Sequence, residues 1–174
     1  MEREARIEVG VGDSSESAAG EAPPSDSVAA IFAKAGASVL LHELGGDVKW
    51  TELDEAPASQ DFEVKALLGL TGSPRGSITY AFKRETALAI FATMSGLSTT
   101  GFDELAQSAI GELANMISGR GTTVLDTLGN HCDISPPILI IGKDVEIKTI
   151  ANRHDYARID TRHGAVYIDV GIDR

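Results

Sequence analysis

The sequence has little of several residue types that mark whole classes of protein. Cys132 is the only cysteine among 174 residues, which excludes an intrachain disulfide and fits a reducing compartment. Aromatic residues make up 5% of the chain and form no series on which nucleic-acid bases could stack. No apolar run approaches the roughly 20 residues of a membrane-spanning helix. The first residues are charged and polar, unlike a signal peptide, so we expect a cytoplasmic protein with no membrane contact.

Positive charge is also scarce. The chain has 15 Lys and Arg against 26 Asp and Glu, a formal net charge of −11. Nucleic-acid phosphates need basic residues to neutralise them, so this balance argues against a nucleic-acid partner and an anionic membrane surface. The four histidines are dispersed without ligand spacing, and we expect no metal site in the chain. An acidic body suits a partner with exposed basic residues.

The apolar residues that are present, 43% of the chain, suit one domain with a sizeable core. Residues 13–25 are rich in Ser, Ala, Gly, Glu and Pro, which predicts that residues 1–25 form a disordered acidic tail. The domain is expected to occupy residues 26–174 and to belong to the α+β class. The predicted helices run from Asp26 or Ser27 to Gly45, over 85–95, and from a start at Thr99-Thr100, with Asp103 three residues beyond Thr100, to Gly119 or Gly121. The predicted strands are 48–53, 62–70, 77–83, 138–141, 145–150 and 165–170, with 157–161 possible; short turns predict antiparallel pairing of the last ones.

The last predicted helix has an unusual polar side. At roughly 100° per residue, its core side should hold Leu105, Ala109, Leu113, Met116 and Ile117. The opposite side places a carboxylate and a carboxamide close together among residues that have almost no side chain. Its members are Glu104, Ser108, Gly111, Glu112, Asn115, Ser118 and Gly119. Glycine in mid-helix costs about 1 kcal/mol against alanine, so Gly111 suggests that another surface approaches the backbone closely. We therefore expect a partner to contact this side at Ser108, Gly111, Ser118 and Gly119.

Glu112 and Asn115 are three residues apart, so their side chains are neighbours on a helix. A carboxamide donates and accepts hydrogen bonds at once, which suits it to hold a water in line with a phosphorus atom. The carboxylate could pair with a basic residue of the partner. The alternative is an ordinary amphipathic helix, with Glu112 solvated and Asn115 a local polar residue, because a Glu-x-x-Asn spacing is common by chance.

A longer pattern resembles the CheX branch of the CheC/CheX/FliY phosphatases of bacterial chemotaxis. Ser108, Glu112, Asn115 and the pair Pro136-Pro137 are similar to the family's spaced motif. The flanking segments 85–88, 103–115 and 128–137 occur in the same order, and the likeness runs from about residue 28 to about 150. Only one Glu-x-x-Asn occurs in this context, which favours the CheX type over the CheC type.

The resemblance implies a mostly antiparallel mixed sheet with two long helices packed on one face. It also implies a hydrolase acting on the phosphoaspartate of a CheY-like response regulator. By motif position, Asn115 orients the attacking water and Glu112 docks on a lysine of the receiver domain, while Pro136 and Pro137 are structural. The resemblance further implies that any Mg²⁺ belongs to the receiver, that this chain carries no cofactor, and that the protein is a homodimer.

Two other functions remain open at this point. A domain of the same fold could bind a receiver domain or a signalling scaffold without catalysis. A structural subunit of a flagellar or secretion assembly would instead carry a large exposed apolar patch, and the sequence indicates no clear one. The acidic tail and the highly charged segment 152–164 depart from the compact family pattern.

Overall fold

The computed structural model describes residues 3–6, 27–58, 62–99 and 101–173. These residues form three helices and eight strands. The helices are α1 (Val28–Leu44), α2 (Arg84–Ser95) and α3 (Glu104–Thr127). The strands are β1 (Arg3–Arg6), β2 (Lys49–Leu53), β3 (Val64–Gly72), β4 (Gly76–Phe82), β5 (Cys132–Ile134), β6 (Ile138–Ile141), β7 (Arg153–Thr161) and β8 (Gly164–Ile172).

One antiparallel sheet contains all eight strands. Its order is β1-β2-β7-β8-β4-β3-β5, and β6 pairs with the same side of β3 as β5. In the central strands buried residues alternate with less buried ones, as expected when one face of a sheet meets the core. On β3 and β4 the core positions are Val64, Ala66, Leu68, Leu70, Ile78, Tyr80 and Phe82.

The helices cover that core face. Helix α1 lies against β2, β7 and β8, whereas α3 lies against β3, β5 and β6 and also packs on α1. The predicted α+β class and the placement of the long helices are confirmed, and the described strands pair antiparallel throughout. No helix in the described ranges has the length and apolarity needed to cross a membrane.

The helix ends show which of the predicted capping residues cap α1 and α3 in the structure. Ser27 caps α1, with its Oγ accepting a hydrogen bond from the N–H of Ala30 at 3.1 Å, and Gly45 ends the helix as predicted. Asp26, the other candidate cap, lies outside the described residues. Asp103, rather than a threonine at 99–100, caps α3, accepting from the N–H of Ala106 at 2.9 Å. The carboxylate of Asp103 thereby satisfies one of the N–H groups in the first turn of α3, which have no acceptor within the helix.

The predicted end of α3 at Gly119 or Gly121 is wrong, because the helix continues to Thr127. Gly121 is buried where α3 crosses α1, and a Cβ atom on it would lie 2.2 Å from the ring of Phe32. The glycine therefore permits a close approach of two helices instead of ending one. A glycine at a helix crossing and a glycine at a helix end look the same in sequence.

The predicted strands need correction in three places. Residues 145–150 form no ladder; they pass over the outer face of the sheet, where the Nζ of Lys65 donates to the carbonyl of Val145 at 2.6 Å. The short strand β5 was not predicted. Residues 3–6 form β1 on the edge of β2, within the segment expected to be disordered. The rest of that segment lies outside the described residues.

Candidate functional site

An open groove runs between the middle of α3 and the connection from β5 to β6. Its volume is about 530 Å³. The helix contributes Gln107, Ser108, Gly111, Glu112 and Asn115, and the strands and their connection contribute Ile134, Ser135, Pro136, Pro137 and Leu139. The groove thus brings together six of the residues predicted from the sequence, namely Ser108, Gly111, Glu112, Asn115, Pro136 and Pro137.

The strand side of the groove is held by Ser135. Its backbone N–H donates to the carbonyl of Gly69 at 3.0 Å, and its Oγ accepts from the N–H of Gly69 at 2.8 Å. This double contact lies between the two ladders that β5 and β6 form with β3. The prolines that follow have no N–H to donate, so they interrupt pairing without leaving a donor unsatisfied.

Pro137 then reaches the helix at Gly111. A Cβ atom on Gly111 would lie 3.7 Å from Cγ of Pro137, an ordinary van der Waals distance. Gly111 is buried by this contact. The close neighbour of Gly111 is therefore a proline of the same chain, where the sequence suggested the surface of a partner.

Glu112 is exposed and Asn115 is half-buried, side by side on the groove. Neither side chain forms a hydrogen bond or an ion pair with any residue that the structure describes. Ser108 is exposed one turn before Glu112. A polar pair that the domain does not use for its own stability has its hydrogen-bonding capacity available to another molecule.

Two residues predicted to contact a partner lie elsewhere. Ser118 is fully buried, and its Oγ forms a hydrogen bond with the hydroxyl of Tyr80 at 2.9 Å, so the prediction for Ser118 is wrong. Burial raises the pKa of Tyr80 far above its ordinary value. Three residues advance a helix by about 300°, which turns position 118 about 60° from Asn115 toward the sheet. Gly119 lies in a different groove, between α1 and α3, together with Met116 and Arg120.

The side of α3 that faces the core is rotated about the helix axis relative to the predicted one. Leu105 is 55% exposed, and Met116 is half-buried. The positions that face the core are Ala106, Ile110, Leu113, Ala114, Ile117 and Leu125. Two of them are alanines, which let α3 lie close to its neighbours but give a weak hydrophobic signal in sequence. Leu105 is instead an exposed apolar residue on the same side of α3 as Glu112, two turns before it.

The groove offers a limited set of chemical groups. Its serine Ser135 already donates to the carbonyl of Pro136 and accepts from Gly69. Within the described ranges no group of three or more His, Cys, Asp and Glu could hold a metal ion. The free groups are thus a carboxylate, a carboxamide and the hydroxyl of Ser108. They can orient a water and pair with a cation on a partner, on a surface that is open to a macromolecule.

The fold and the site together define an α+β domain with a helix-borne polar pair displayed on an open groove. Residues 64–158, more than half of the chain, match the family described as chemotaxis phosphatase CheX. The chain belongs to the CheX family.

Three relatives illustrate the match. The CheY-P phosphatase CheX of Thermotoga maritima is 46% identical over 84 residues, which are 48% of this chain and 54% of that protein. The match therefore spans about half the length of this curated relative. The structure of the chemotaxis protein CheX from Vibrio vulnificus superposes with a TM-score of 0.77 at 22% identity, covering 85% of this chain and 100% of that one.

The third is the CheX–CheY–BeF3–Mg²⁺ complex from Borrelia burgdorferi. It superposes with a TM-score of 0.67 at 23% identity, covering 83% of this chain and 96% of that one. At these identities the two structural likenesses establish the fold.

Proposed function

We propose that this protein is a phosphatase that hydrolyses the phosphoaspartate of a CheY-like response regulator. The observation that carries the proposal is the free pair Glu112 and Asn115 on an open groove whose opposite wall is Pro136-Pro137. Two likenesses support it. The relative from Thermotoga maritima is a CheY-P phosphatase, and the neighbour from Borrelia burgdorferi was solved with CheY. Such a partner implies a cytoplasmic site of action.

In this proposal Asn115 enters the phosphorylation site of the receiver domain and orients a water. The water oxygen forms a bond to phosphorus as the bond from phosphorus to the aspartyl oxygen breaks. The proton lost by the water passes to the phosphate, and the aspartate leaves as a carboxylate. Catalysis of phosphoryl transfer needs mainly positioning and charge stabilisation, so one well-placed carboxamide suits the role.

Glu112 docks the two proteins by pairing with a cation of the receiver domain, such as a lysine. Its exposure and its lack of an ion pair among the described residues leave the carboxylate available for this contact. Exposed Leu105 offers apolar contact on the same side of α3. Mg²⁺ would be held by the receiver domain and would neutralise charge on the phosphoryl group. This chain needs no cofactor of its own in the proposal.

We also propose that the protein is a homodimer. The outer edge of β6 pairs with no other strand among the described residues. The strand also carries exposed apolar side chains, since Ile138 is 60% and Ile141 39% exposed. An apolar edge strand of this kind favours pairing with a second chain. Light scattering should therefore give the mass of two chains, and Ile138→Lys should shift the mass toward one chain. A single-chain mass for the wild type would contradict the dimer.

The test of the activity is phosphate release from phosphorylated receiver domains. Wild type should accelerate release, and Asn115→Ala should lose about a hundredfold of that acceleration, as when one oriented catalytic hydrogen bond is removed. The matched control is Asn152→Ala, which makes the same chemical change at an exposed position away from the groove. It should leave the rate unchanged.

The outcomes separate the alternatives. Binding of a receiver domain without faster phosphate release would favour a non-catalytic binding module. Full activity of Asn115→Ala would refute the assigned mechanism even if wild type is a phosphatase.

A further inference from the structure

A second cavity, of about 500 Å³, lies on the outer face of the sheet, away from the groove on α3. The strand register explains its shape. Ala81 on β4 pairs with Lys65 on β3 and with Tyr167 on β8, so a small side chain lies between two large ones. The next outward position on β4 is Thr79, also small. The segment 146–149, which belongs to no strand, forms a wall of the cavity.

Lys65 supplies the main electrostatic feature of this cavity. The residue is 4% exposed, and its Nζ donates to the carbonyls of Phe62 at 2.8 Å and Val145 at 2.6 Å. Among the described residues no carboxylate forms an ion pair with it. Burying an ammonium group without a counter-ion carries a large desolvation free energy that no ion pair offsets. Burial lowers the pKa of Lys65, as expected for a desolvated cation with no anion beside it.

The carboxylates that line the cavity are already engaged. Glu146 pairs with Lys148 at 3.4 Å. Asp169 pairs with Nδ1 of His154 at 2.7 Å. The charge of Lys65 is therefore left without a partner of opposite sign in the part of the chain that the structure describes.

Thr79 provides a second unused polar group. It is 9% exposed, lines the cavity, and its hydroxyl forms no hydrogen bond with any described residue. The pairing of Lys65 with Ala81 and of Thr79 with Leu67 makes Lys65 and Thr79 diagonal neighbours on one face of the sheet. An ammonium and a hydroxyl thus line one cavity, and both can donate to an anion.

Four ring side chains, those of Phe62, His154, Tyr156 and Tyr167, form part of the remaining walls. The rings of Phe62 and Tyr167 lie 4.7 Å apart between centroids. The rings of His154 and Tyr156 are stacked with centroids 6.0 Å apart. Ligand sites of this size combine apolar and aromatic walls with a few placed polar groups. An inorganic anion would satisfy Lys65 but leave the aromatic part of the cavity unfilled.

We propose that this cavity binds a small organic anion with an aromatic body. Its acidic group would contact Lys65 and Thr79, and its ring would lie against Tyr167. The acidic group would supply the counter-ion that Lys65 lacks among the described residues, and the ring would fill the space left by Ala81 and Thr79. The proposal is independent of the phosphatase activity, since none of these residues lines the groove on α3.

The test uses two fluorescent probes with the full chain. Anilinonaphthalene sulfonate is an aromatic anion, and phenylnaphthylamine has the same rings without the sulfonate. We expect saturable binding of the sulfonate at one site per chain. Phenylnaphthylamine should bind about tenfold more weakly or worse, because hydrogen bonds to a charged group discriminate by roughly that factor.

Three variants locate the site. Lys65→Met should remove the difference in affinity between the two probes, whereas Lys143→Met, the same charge loss on an exposed turn, should preserve it. Ala81→Leu fills the cavity without changing charge and should abolish binding of the sulfonate. Circular dichroism checks that each variant is folded, and Ala81→Leu provides the test if Lys65→Met is not. Absence of saturable binding, or sulfonate binding that survives Ala81→Leu, would overturn the proposal.

Discussion

Helix α3 contains glycines in opposite environments, which allows one substitution to be tested twice. Changing Gly111 to alanine adds a methyl group 3.7 Å from Pro137, an ordinary contact. The same change at Gly121 places Cβ 2.2 Å and 2.3 Å from two ring atoms of Phe32. Phe32 is fully buried in α1, so its ring has little room to move. The chemistry and the helix are the same, and only the packing differs.

The expected magnitudes follow from two terms. Replacing glycine by alanine in a helix interior gains about 1 kcal/mol. Gly111→Ala should therefore raise the free energy of unfolding by about that amount. Overpacking a core costs about 1–3 kcal/mol, and a contact as short as that at Gly121 belongs at the upper end. Gly121→Ala should then be about 2 kcal/mol less stable than wild type and about 3 kcal/mol less stable than Gly111→Ala.

Urea unfolding followed by far-UV circular dichroism measures these differences, with the concentration of chains held constant because association would shift the midpoint. Gly119→Ala is the control, since no atom lies within 4 Å of the added Cβ and only the gain in helix propensity applies. Equal stabilities of Gly121→Ala and Gly111→Ala would refute the close contact between α1 and α3. A destabilised Gly111→Ala would refute the spacing between α3 and Pro137.

Three further predictions use other parts of the structure. Glu112→Gln should raise the KM for the phosphorylated receiver domain more than it lowers kcat, because it removes a docking charge. Glu104→Gln is the control, since it removes the same charge from the same helix. Equal effects of the two substitutions on KM would argue against a docking role for Glu112. Tyr80→Phe should lower the free energy of unfolding by about 1–3 kcal/mol, because the buried hydroxyl of Ser118 loses its partner; an unchanged urea midpoint would show that this bond contributes nothing. Cys132 should react with iodoacetamide more slowly than N-acetylcysteine at mildly alkaline pH, because burial and nearby carboxylates raise its thiol pKa and reduce the thiolate fraction. Mass spectrometry follows this alkylation, and an equal rate would contradict the environment described for Cys132.

The sequence specified most of the helices and strands, because local signals determine where they begin and end. Hydrophobic periodicity located α1, α2 and the strands β2, β3 and β4. Helix α1 begins after Ser27 and ends at Gly45, as predicted. The spacing of Glu112 and Asn115 sufficed to make them neighbours, since residues three apart share one side of any α-helix. The resemblance to a known family then indicated the chemistry of that pair.

Only the tertiary structure decided which way α3 faces and what completes the groove. Apolar Leu105 is exposed and polar Ser118 is buried, because the helix orientation depends on the sheet and on Tyr80, far away in the sequence. Ser135 positions the proline wall through Gly69, a contact between residues 66 positions apart. The cavity beside Lys65 likewise depends on the strand register.

Local sequence therefore determined which polar side chains lie together. Long-range packing determined whether each glycine ends a helix, admits a neighbouring ring or meets a proline. The physical reason is that neighbours on a helix follow from its fixed geometry, whereas contacts between elements depend on how all of them fill one core.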